Sequence, residues 1–291
     1  MIAEGWRLLV DPARPAARHM ALDEQLAQEA VPTLRLFVWD PPAVSLGFRQ
    51  RPPEWLAAPN RVGLEVVERP TGGGIAFHGS DVSISVIVPH GLSVGPDMLL
   101  GIACESAAKL CGMYGLQATA ALDGPRTGRV TYCLTQPSPY AVLVGSRKVA
   151  GFALRRFKHS WLIQGSLLVR PLPDAVGAML PRAVKDVLGA RAIALSDAIG
   201  AYSSLSLATR QTRGPAGGGA LRVGAPVSEE EVAVQWARQW PAWWDERLLA
   251  GGHPTTCAAP SETAPERTSR EGSRRSRLNL IADRRDAQVV G

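Results

Sequence analysis

Cysteine is scarce in this sequence, and the few that occur are not arranged to bind a metal. There is no Cys-x-x-Cys pair, and the histidines and cysteines do not complete a zinc-binding motif of two spaced pairs. The four positions are Cys104, Cys111, Cys133 and Cys257. Structural zinc sites and disulfide frameworks both need paired, regularly spaced ligands. The sequence therefore predicts no metal site and thiols that stay reduced.

Long apolar runs are also missing. No stretch approaches the roughly 20 apolar residues that a membrane-spanning helix needs. Residues 1–15 lack the charged and then apolar layout of a secretory signal. We therefore expect a cytoplasmic location and no membrane partner.

An excess of positive charge is present but small. The formal net charge is +6, and residues 261–291 supply +2 of it because they hold seven Arg against five Asp and Glu. No basic run is interleaved with aromatic residues, so nucleic-acid binding is not expected. The mildly basic body favours an acidic protein as partner.

The sequence does have enough apolar material for one substantial core, since 46% of its 291 residues are hydrophobic. Apolar periodicity predicts helices over residues 16–31, 96–114, 173–188 and 228–249. Strands are predicted over residues 34–39, 44–48, 82–88, 140–144, 148–154 and 161–169, and two further strands are predicted on either side of a glycine loop within residues 64–78. A glycine-rich linker is expected at residues 213–226, and the polar residues beyond 251 cannot offset the entropy of ordering.

A glycine loop, Thr71-Gly72-Gly73-Gly74, lies between two predicted strands. Because it does not open a helix, it is neither a P-loop nor a dinucleotide fingerprint. Its glycines would let the backbone approach a ligand closely, with Arg69 as a charged clamp. A plain flexible hairpin explains the same residues. His78, just beyond the loop, is either a packing residue or part of a site.

Cys133 and Lys148 form the second candidate, because a hairpin predicted about Gly145-Ser146 brings the lysine back toward the cysteine. Nearby positive charge stabilises a thiolate and makes a cysteine nucleophilic. The same ammonium could instead hold the oxygen of a reacting carbonyl. An inert, buried Cys133 and an exposed Lys148 remain the alternative, and core packing is expected for Cys104 and Cys111.

Four segments resemble the lipoate-protein ligase and octanoyltransferase group of the biotin/lipoate ligase superfamily. They are MALDEQL at 20–26, LRLFVWDPPAVSLGFRQ at 34–50, RPTGGGIAFH at 69–78 and CLTQPSPYAVLVGSRKVAG at 133–151. The last segment is most similar to octanoyl-[carrier protein]:protein octanoyltransferases of the cysteine-loop type and their amidotransferase relatives. The resemblance covers residues 6–205.

The resemblance implies that Cys133 is the acyl-thioester nucleophile and Lys148 the active-site lysine. It also implies a set of substrate-binding residues along the acyl channel: Arg69, Thr71, Gly72, Gly73, Gly74, His78, Gly151 and Gly165. Together with the predicted elements, it implies an α+β catalytic domain with a mixed, largely antiparallel sheet and packed helices. The expected organisation is a catalytic domain at 1–205, a linker and helix at 206–251 and a disordered tail at 252–291.

The implied reaction moves an octanoyl or lipoyl group from a carrier-protein thioester to Cys133 and then to a lysine of a lipoyl-domain protein. The donor would be acyl carrier protein or another acylated carrier, and the acceptor a protein such as a glycine-cleavage H-like protein. The thioester is already activated, so neither ATP nor another cofactor is expected. Two alternatives stay open: an ATP-dependent lipoate ligase that forms an acyl-adenylate, and a non-catalytic relative that binds acylated carriers.

Several positions depart from the family's pattern. Glu68 stands where an Arg is usual, Gly79 where an Asp is usual, and Ala141 where a Glu is usual. The segments GFAL at 151–154 and LIQGS at 162–166 replace Gly-Ser-Ala-Gln and Leu-Gln-His-Gly-Ser. Phe, Leu and Ile thus take the place of polar residues, and we expect a more apolar pocket.

Overall fold

Two β-sheets of different size organise the chain. The computed structural model describes residues 6–56, 64–92, 94–124, 132–135, 138–210 and 227–249. The larger sheet has seven strands in the spatial order β1 (Arg7–Arg14), β2 (Thr33–Trp39), β6 (Asp81–Pro89), β10 (Ser160–Leu168), β9 (Arg147–Arg156), β8 (Ala141–Val144) and β7 (Ala118–Ala121). The smaller sheet has the order β4 (Glu65–Glu68), β3 (Ala43–Leu46) and β5 (Ala76–His78).

Both sheets mix strand directions. β1 runs parallel to β2, and β3 runs parallel to β4, whereas every other pair is antiparallel. The expected α+β fold with a mixed, largely antiparallel sheet is confirmed.

Helices pack against both sheets. They are α1 (Ala16–Glu29), α2 (Pro96–Met113), α3 (Asp174–Met179), α4 (Arg182–Arg191), α5 (Leu195–Arg210) and α6 (Glu229–Leu249). α2 and α6 pack on one face of the larger sheet and build the main core with it, while α1 packs on the opposite face. α3 and α4 share a core with the smaller sheet. Because strand side chains alternate, β6 sends Val82, Ile84 and Val86 into the main core and Ser83 and Ser85 to the other side.

The single helix predicted at 173–188 is wrong, because the structure has two helices there. α3 ends at Met179 and α4 begins at Arg182. Pro181 lies between them, and a proline removes a helical hydrogen-bond donor and disfavours a helical residue before it. The sequence patterns also missed β1, β7 and α5. β1 contains Pro12 and β7 is mostly alanine, both of which weaken a strand signal.

The C-terminal helix α6 belongs to the same core as the sheet. Its Trp236, Trp240 and Trp244 are fully buried in that core. Ser228 caps its start, since the Ser228 hydroxyl accepts the Glu231 backbone N–H at 3.2 Å. The domain boundary after residue 205 stays a prediction, and α5 continues through it to Arg210.

The predicted linker at 213–226 and the predicted tail at 252–291 lie outside the described residues. None of the described helices combines the length and the hydropathy that a membrane crossing requires.

Candidate active site

Cys133 lies beside the glycine loop because the backbone ties the two together. The Cys133 N–H donates to the Ile75 carbonyl at 2.8 Å, and Tyr132 forms a β-bridge with Ile75. Ile75 directly follows Gly74. The half-buried Cys133 is therefore fixed at the end of the loop.

A β-bulge turns Lys148 toward Cys133. In the β8–β9 pair Val142 faces Ala150, but Leu143 faces Lys148, so β9 contains one extra residue, Val149. Lys148 and Gly151 would lie on opposite faces of a regular strand. With the bulge they share a face.

Gly151 leaves open the space that Cys133 and Lys148 both face. A Cβ atom built on Gly151 would lie 3.1 Å from Lys148 Nζ and 3.4 Å from Cys133 Sγ. The predicted hairpin about Gly145-Ser146 therefore does bring the thiol and the ammonium to one place.

The Lys148 ammonium is held by the cysteine turn itself. The side chain is buried, and Nζ donates to the Cys133 backbone carbonyl at 2.7 Å and to Ser138 Oγ at 2.9 Å. An ammonium has three N–H groups, so one remains for a ligand.

Arg69 holds the glycine loop in shape from inside. One guanidinium nitrogen donates to the carbonyls of Gly72 and Gly74, each at 2.7 Å, and the other donates to the Ser45 carbonyl at 3.1 Å. Burial lowers the pKa of Arg69, and the negative charge of a Cys133 thiolate acts in the opposite direction. Arg69 and Cys133 therefore attract each other when both are charged.

His78 is a buried, fully bonded residue on the wall of the site. Its Nδ1 lies 2.8 Å from Asp81 Oδ2, its Nε2 lies 2.8 Å from Ser45 Oγ, and its ring stacks on Trp39 at 3.9 Å between centroids. Asp81 also accepts from the Ser83 and Ser166 hydroxyls. Burial alone would raise the Asp81 pKa, but the charge of His78 and these hydrogen bonds lower it.

A cavity of about 60 Å³ lies between these groups. Among the predicted site residues, it is lined by Arg69, Gly73, Gly74, His78, Cys133, Lys148, Gly151 and Gly165. Thr71 and Gly72 do not line it. Thr71 lies behind the wall and donates to Gln164 Oε1 at 2.7 Å, while the Gly72 carbonyl accepts from Arg69.

The expectation of a more apolar pocket holds at one of three positions. Phe152 lines the cavity, and its ring covers Gly165, where an added Cβ would lie 2.2 Å from Phe152 Cδ1. Leu154 and Ile163 instead face the main core. Alternation places all three side chains on the core face of the sheet, where the Phe152 ring also meets Trp236 edge-on at 6.5 Å between centroids. Of the three, only Phe152 also lines the cavity.

Sequence reasoning missed a buried polar network that supports the site. Gln164 Nε2 donates to Asp23 Oδ2 at 2.6 Å, and Arg35 donates to Asp23 Oδ1 at 2.5 Å and to Asp11 Oδ2 at 2.6 Å. Burial raises the pKa of Asp23, while the charge of Arg35 lowers it.

The sequence signal for this polar network was the run of small polar residues at every second position of a buried strand, Asp81, Ser83 and Ser85.

Cys104 and Cys111 lie in the main core, as expected. Burial raises the pKa of both thiols, that of Cys111 to about 12. No three His, Cys, Asp or Glu side chains are placed to hold a metal ion in the part of the chain that the structure describes.

Comparison with known proteins gives concordant matches. The model of the lipoyl protein ligase A/B catalytic domain matches residues 15–210. An octanoyltransferase LipM of Symbiobacterium thermophilum is 38% identical over 179 residues, which cover 56% of this chain and 65% of that protein. An octanoyltransferase LipM of Carboxydothermus hydrogenoformans is 32% identical over 181 residues, covering 57% and 66%. The chain thus spans just under two thirds of the length of these two relatives.

Solved structures share the fold at lower identity. Protein Ta0514 of T. acidophilum aligns with a TM-score of 0.51 at 20% identity, over 80% of this chain and 92% of that one. P. falciparum LipL1 in complex with lipoate aligns with a TM-score of 0.52 at 15% identity, over 84% and 63%. The segment matched by the family model runs from the start of α1 to the end of α5 and contains every residue named above as lining the cavity. The chain belongs to the lipoyl protein ligase A/B catalytic domain family.

Proposed function

We propose that the protein is an octanoyltransferase of protein lipoylation that carries the acyl group on Cys133. One observation carries the proposal: the Cys133 thiol and the Lys148 ammonium face the same small space above Gly151. The name shared by the curated relatives supports the same activity.

The charges around this space favour an anion. Arg69 and Lys148 are both buried, and no carboxylate of a described residue forms an ion pair with either. Uncompensated buried cations are costly unless a negative group joins them. A Cys133 thiolate is such a group for Arg69, and the oxyanion of a reacting thioester is such a group for Lys148.

Acyl transfer then takes two displacements at one carbon atom. The Cys133 thiolate attacks the carbonyl carbon of the donor thioester, the new C–S bond forms, and the donor sulfur leaves as a thiolate that takes a proton. A neutral lysine amine of the acceptor then attacks the Cys133 thioester, the C–N bond forms, and the amine's proton returns to the Cys133 sulfur. The products are an amide and two free thiols, so these two reaction steps need neither ATP nor a metal.

Lys148 is suited to hold the acyl oxygen. Two of its three N–H groups are used by the Cys133 carbonyl and by Ser138, which fixes the direction of the third. A fixed donor stabilises the charge that develops on the oxygen in the transition state. The alkyl chain would lie along Phe152 and Gly165 in the cavity.

The proposed donor is octanoyl-acyl carrier protein or another acylated carrier. The proposed acceptor is a lipoyl-domain protein, such as a glycine-cleavage H-like protein. No cofactor is proposed. The mildly basic charge of the chain suits acidic carriers of either kind.

The test is an intact-mass measurement after mixing the protein with octanoyl-carrier protein in the absence of ATP. We expect the mass to rise by one octanoyl group that hydroxylamine removes, with Cys133 as the modified residue. Cys133→Ser should abolish hydroxylamine-labile acylation and transfer to a lipoyl domain. Cys257→Ser is the matched control and should keep both.

Other outcomes would replace the proposal. Ligation that requires ATP and free lipoate, without an adduct on Cys133, would indicate an acyl-adenylate ligase. Binding of octanoyl-carrier protein with no transfer under either condition would indicate a non-catalytic carrier-binding relative.

A further inference from the structure

A second, larger cavity lies on the other side of Lys148. Its volume is about 310 Å³. It is lined by Ala121, Asp123, Gly124, Leu134, Thr135, Ser138, Ala141, Leu143, Ser146, Lys148 and Arg191. Lys148 and Ser138 also line the first cavity, so the ammonium group borders both spaces.

The cysteine turn separates the two cavities. Cys133 lines the first cavity, while the next two residues, Leu134 and Thr135, line the second. Cys133 therefore has the first cavity on one side and, across its own turn and Lys148, the second cavity on the other. The alkyl chain takes the first, which contains Phe152 and the glycines.

The second cavity runs from a buried floor to an exposed rim. Thr135 and Lys148 are buried at the floor, whereas Asp123, Ser146 and Arg191 are exposed at the rim. A ligand that reacts at Lys148 and is tethered to a protein outside would pass along this gradient.

The backbone beside Arg191 is fixed at the rim. It ends α4, and the chain directly after it is bonded to the lysine strand: the Ile193 N–H donates to the Lys148 carbonyl at 3.0 Å, and Ala192 forms a β-bridge with Lys148. No described residue forms an ion pair with the Arg191 guanidinium. Its five N–H donors remain available to an anion from outside.

We propose that the second cavity binds the phosphopantetheine arm of the acyl donor, with the phosphate at Arg191. This inference rests on the proposed function, because it requires a thioester donor that reacts at Cys133. The sulfur end of the arm lies at Lys148, the amide groups lie along the cavity, and the phosphate reaches the rim.

The lining suits an arm made of amides. The Thr135 hydroxyl donates to the Tyr132 carbonyl at 3.2 Å, which leaves its lone pairs free to accept an amide N–H. Asp123 can accept a second N–H, and Ser146 can donate to an amide carbonyl. Guanidinium binds phosphate more tightly than a neutral donor does, because the hydrogen bonds are charge-assisted.

The arm of a lipoyl-lysine has no phosphate, so the proposal distinguishes the two classes of donor. Coenzyme A carries the same phosphopantetheine arm as an acyl carrier protein. Thioesters of both should therefore use the Arg191 contact.

The experiment measures kcat/KM for acylation of Cys133 by three octanoyl thioesters of increasing length: N-acetylcysteamine, pantetheine and 4′-phosphopantetheine. For the natural protein we expect the phosphorylated donor to exceed the pantetheine donor by about tenfold, the usual effect of one charge-assisted contact near the surface. In Arg191→Ala the ratio of these two donors should fall to near one. Arg191→Lys should keep part of it.

Arg182→Ala is the matched control. Arg182 lies on the same helix with a side chain 95% exposed and does not line the cavity, so its loss should leave the donor ratio unchanged. A ratio near one in the natural protein, or an unchanged ratio in Arg191→Ala, would overturn the inference. Acylation by the N-acetylcysteamine ester tests the proposed function separately, because that donor lacks the rest of the arm.

Discussion

The two faces of the central strands β6, β9 and β10 differ sharply in composition. On one face Ile84, Leu154 and Ile163 pack into the main core beneath α2 and α6. On the other face the alternate positions are polar or small, such as Ser83 and Gln164. The same strands therefore build the core with one set of side chains and most of the candidate site with the other, while Ile84 and Phe152 reach the cavity from the core side.

The difference shows how a buried polar face is made tolerable. A buried polar atom without a partner is costly, so hydrogen bonds are needed to offset the burial of this polar face. Asp81 accepts from His78, Ser83, Ser166 and the Gly79 N–H. The apolar face needs only close packing. Substitutions on the apolar face should therefore reduce stability, and substitutions on the site face should reduce chemistry.

The largest expected effect on stability is on the apolar face. Trp240 is 2% exposed in the main core, and Trp240→Ala should lower the free energy of unfolding by about 3–5 kcal/mol through lost apolar burial and a cavity. Denaturant titration measures this. The rate of Cys133 acylation at a temperature where the variant is folded should change little.

Trp240→Phe is the control for this substitution. The Trp240 indole N–H is buried and finds no acceptor among the described residues. Because Phe removes an unpaired donor together with some volume, its cost should be well below that of Ala. Equal losses for Phe and Ala would contradict this account of the apolar face.

On the site face, Lys148→Ala should reduce acyl transfer about 100-fold, the usual effect of losing one oxyanion donor. Since Nζ bonds to the Cys133 backbone carbonyl, we expect the rate of Cys133 alkylation and its pH profile to change little. Lys148→Arg should also lose acyl transfer, because the planar guanidinium group of Arg does not replace a compact ammonium group at one oxygen. Slower alkylation with an upward shift of the pH profile would instead assign Lys148 to thiolate stabilisation.

A smaller effect is expected from Gly151→Ala. The added methyl group would lie 2.9 Å from Lys148 Cε and 3.4 Å from Cys133 Sγ, so the lysine end must shift. We expect transfer to fall about tenfold, since misplacing a reacting group by a fraction of an ångström already costs rate. The melting temperature should stay near that of the natural protein. A large drop in melting temperature would show that Gly151 serves the fold and not the site.

The smallest effect concerns pH. Burial and the charge of Arg35 lower the pKa of His19 from 6.5 to about 4. A lowered pKa means that the unfolded chain binds the proton more readily, so this contribution is complete above pH 6.5 and is lost as the pH falls toward 4. His19→Gln should flatten the fall of the melting temperature between pH 7 and 5. Parallel curves for the two proteins would contradict the assignment.

The sequence predicted the fold class and the region of the site, because both depend on local patterns and on family motifs. The alternation of apolar and polar residues predicted β6, and the Gly145-Ser146 turn predicted the hairpin that carries Lys148. The prediction of one helix over residues 173–188 was wrong because Pro181 interrupts it, although the helical period of apolar residues continues on either side.

The network of Asp23, Arg35 and Gln164 was out of reach of sequence reasoning. Its members lie on α1, β2 and β10, and only the tertiary fold brings them together. The bulge at Val149 was equally hidden, because a bulge depends on strand pairing and leaves no fixed residue pattern. Without it, spacing alone would place Lys148 on the face opposite Gly151.

The most direct test of the central claim is a single-turnover transfer from isolated octanoyl-enzyme. The protein is acylated, freed of donor and mixed with a lipoyl-domain protein in the absence of ATP, and both intact masses are followed over time. The account predicts that the octanoyl mass leaves Cys133 and appears on the acceptor as a hydroxylamine-stable amide, one for one. An octanoyl group that stays on Cys133, or reaches the acceptor only when donor is added back, would contradict it.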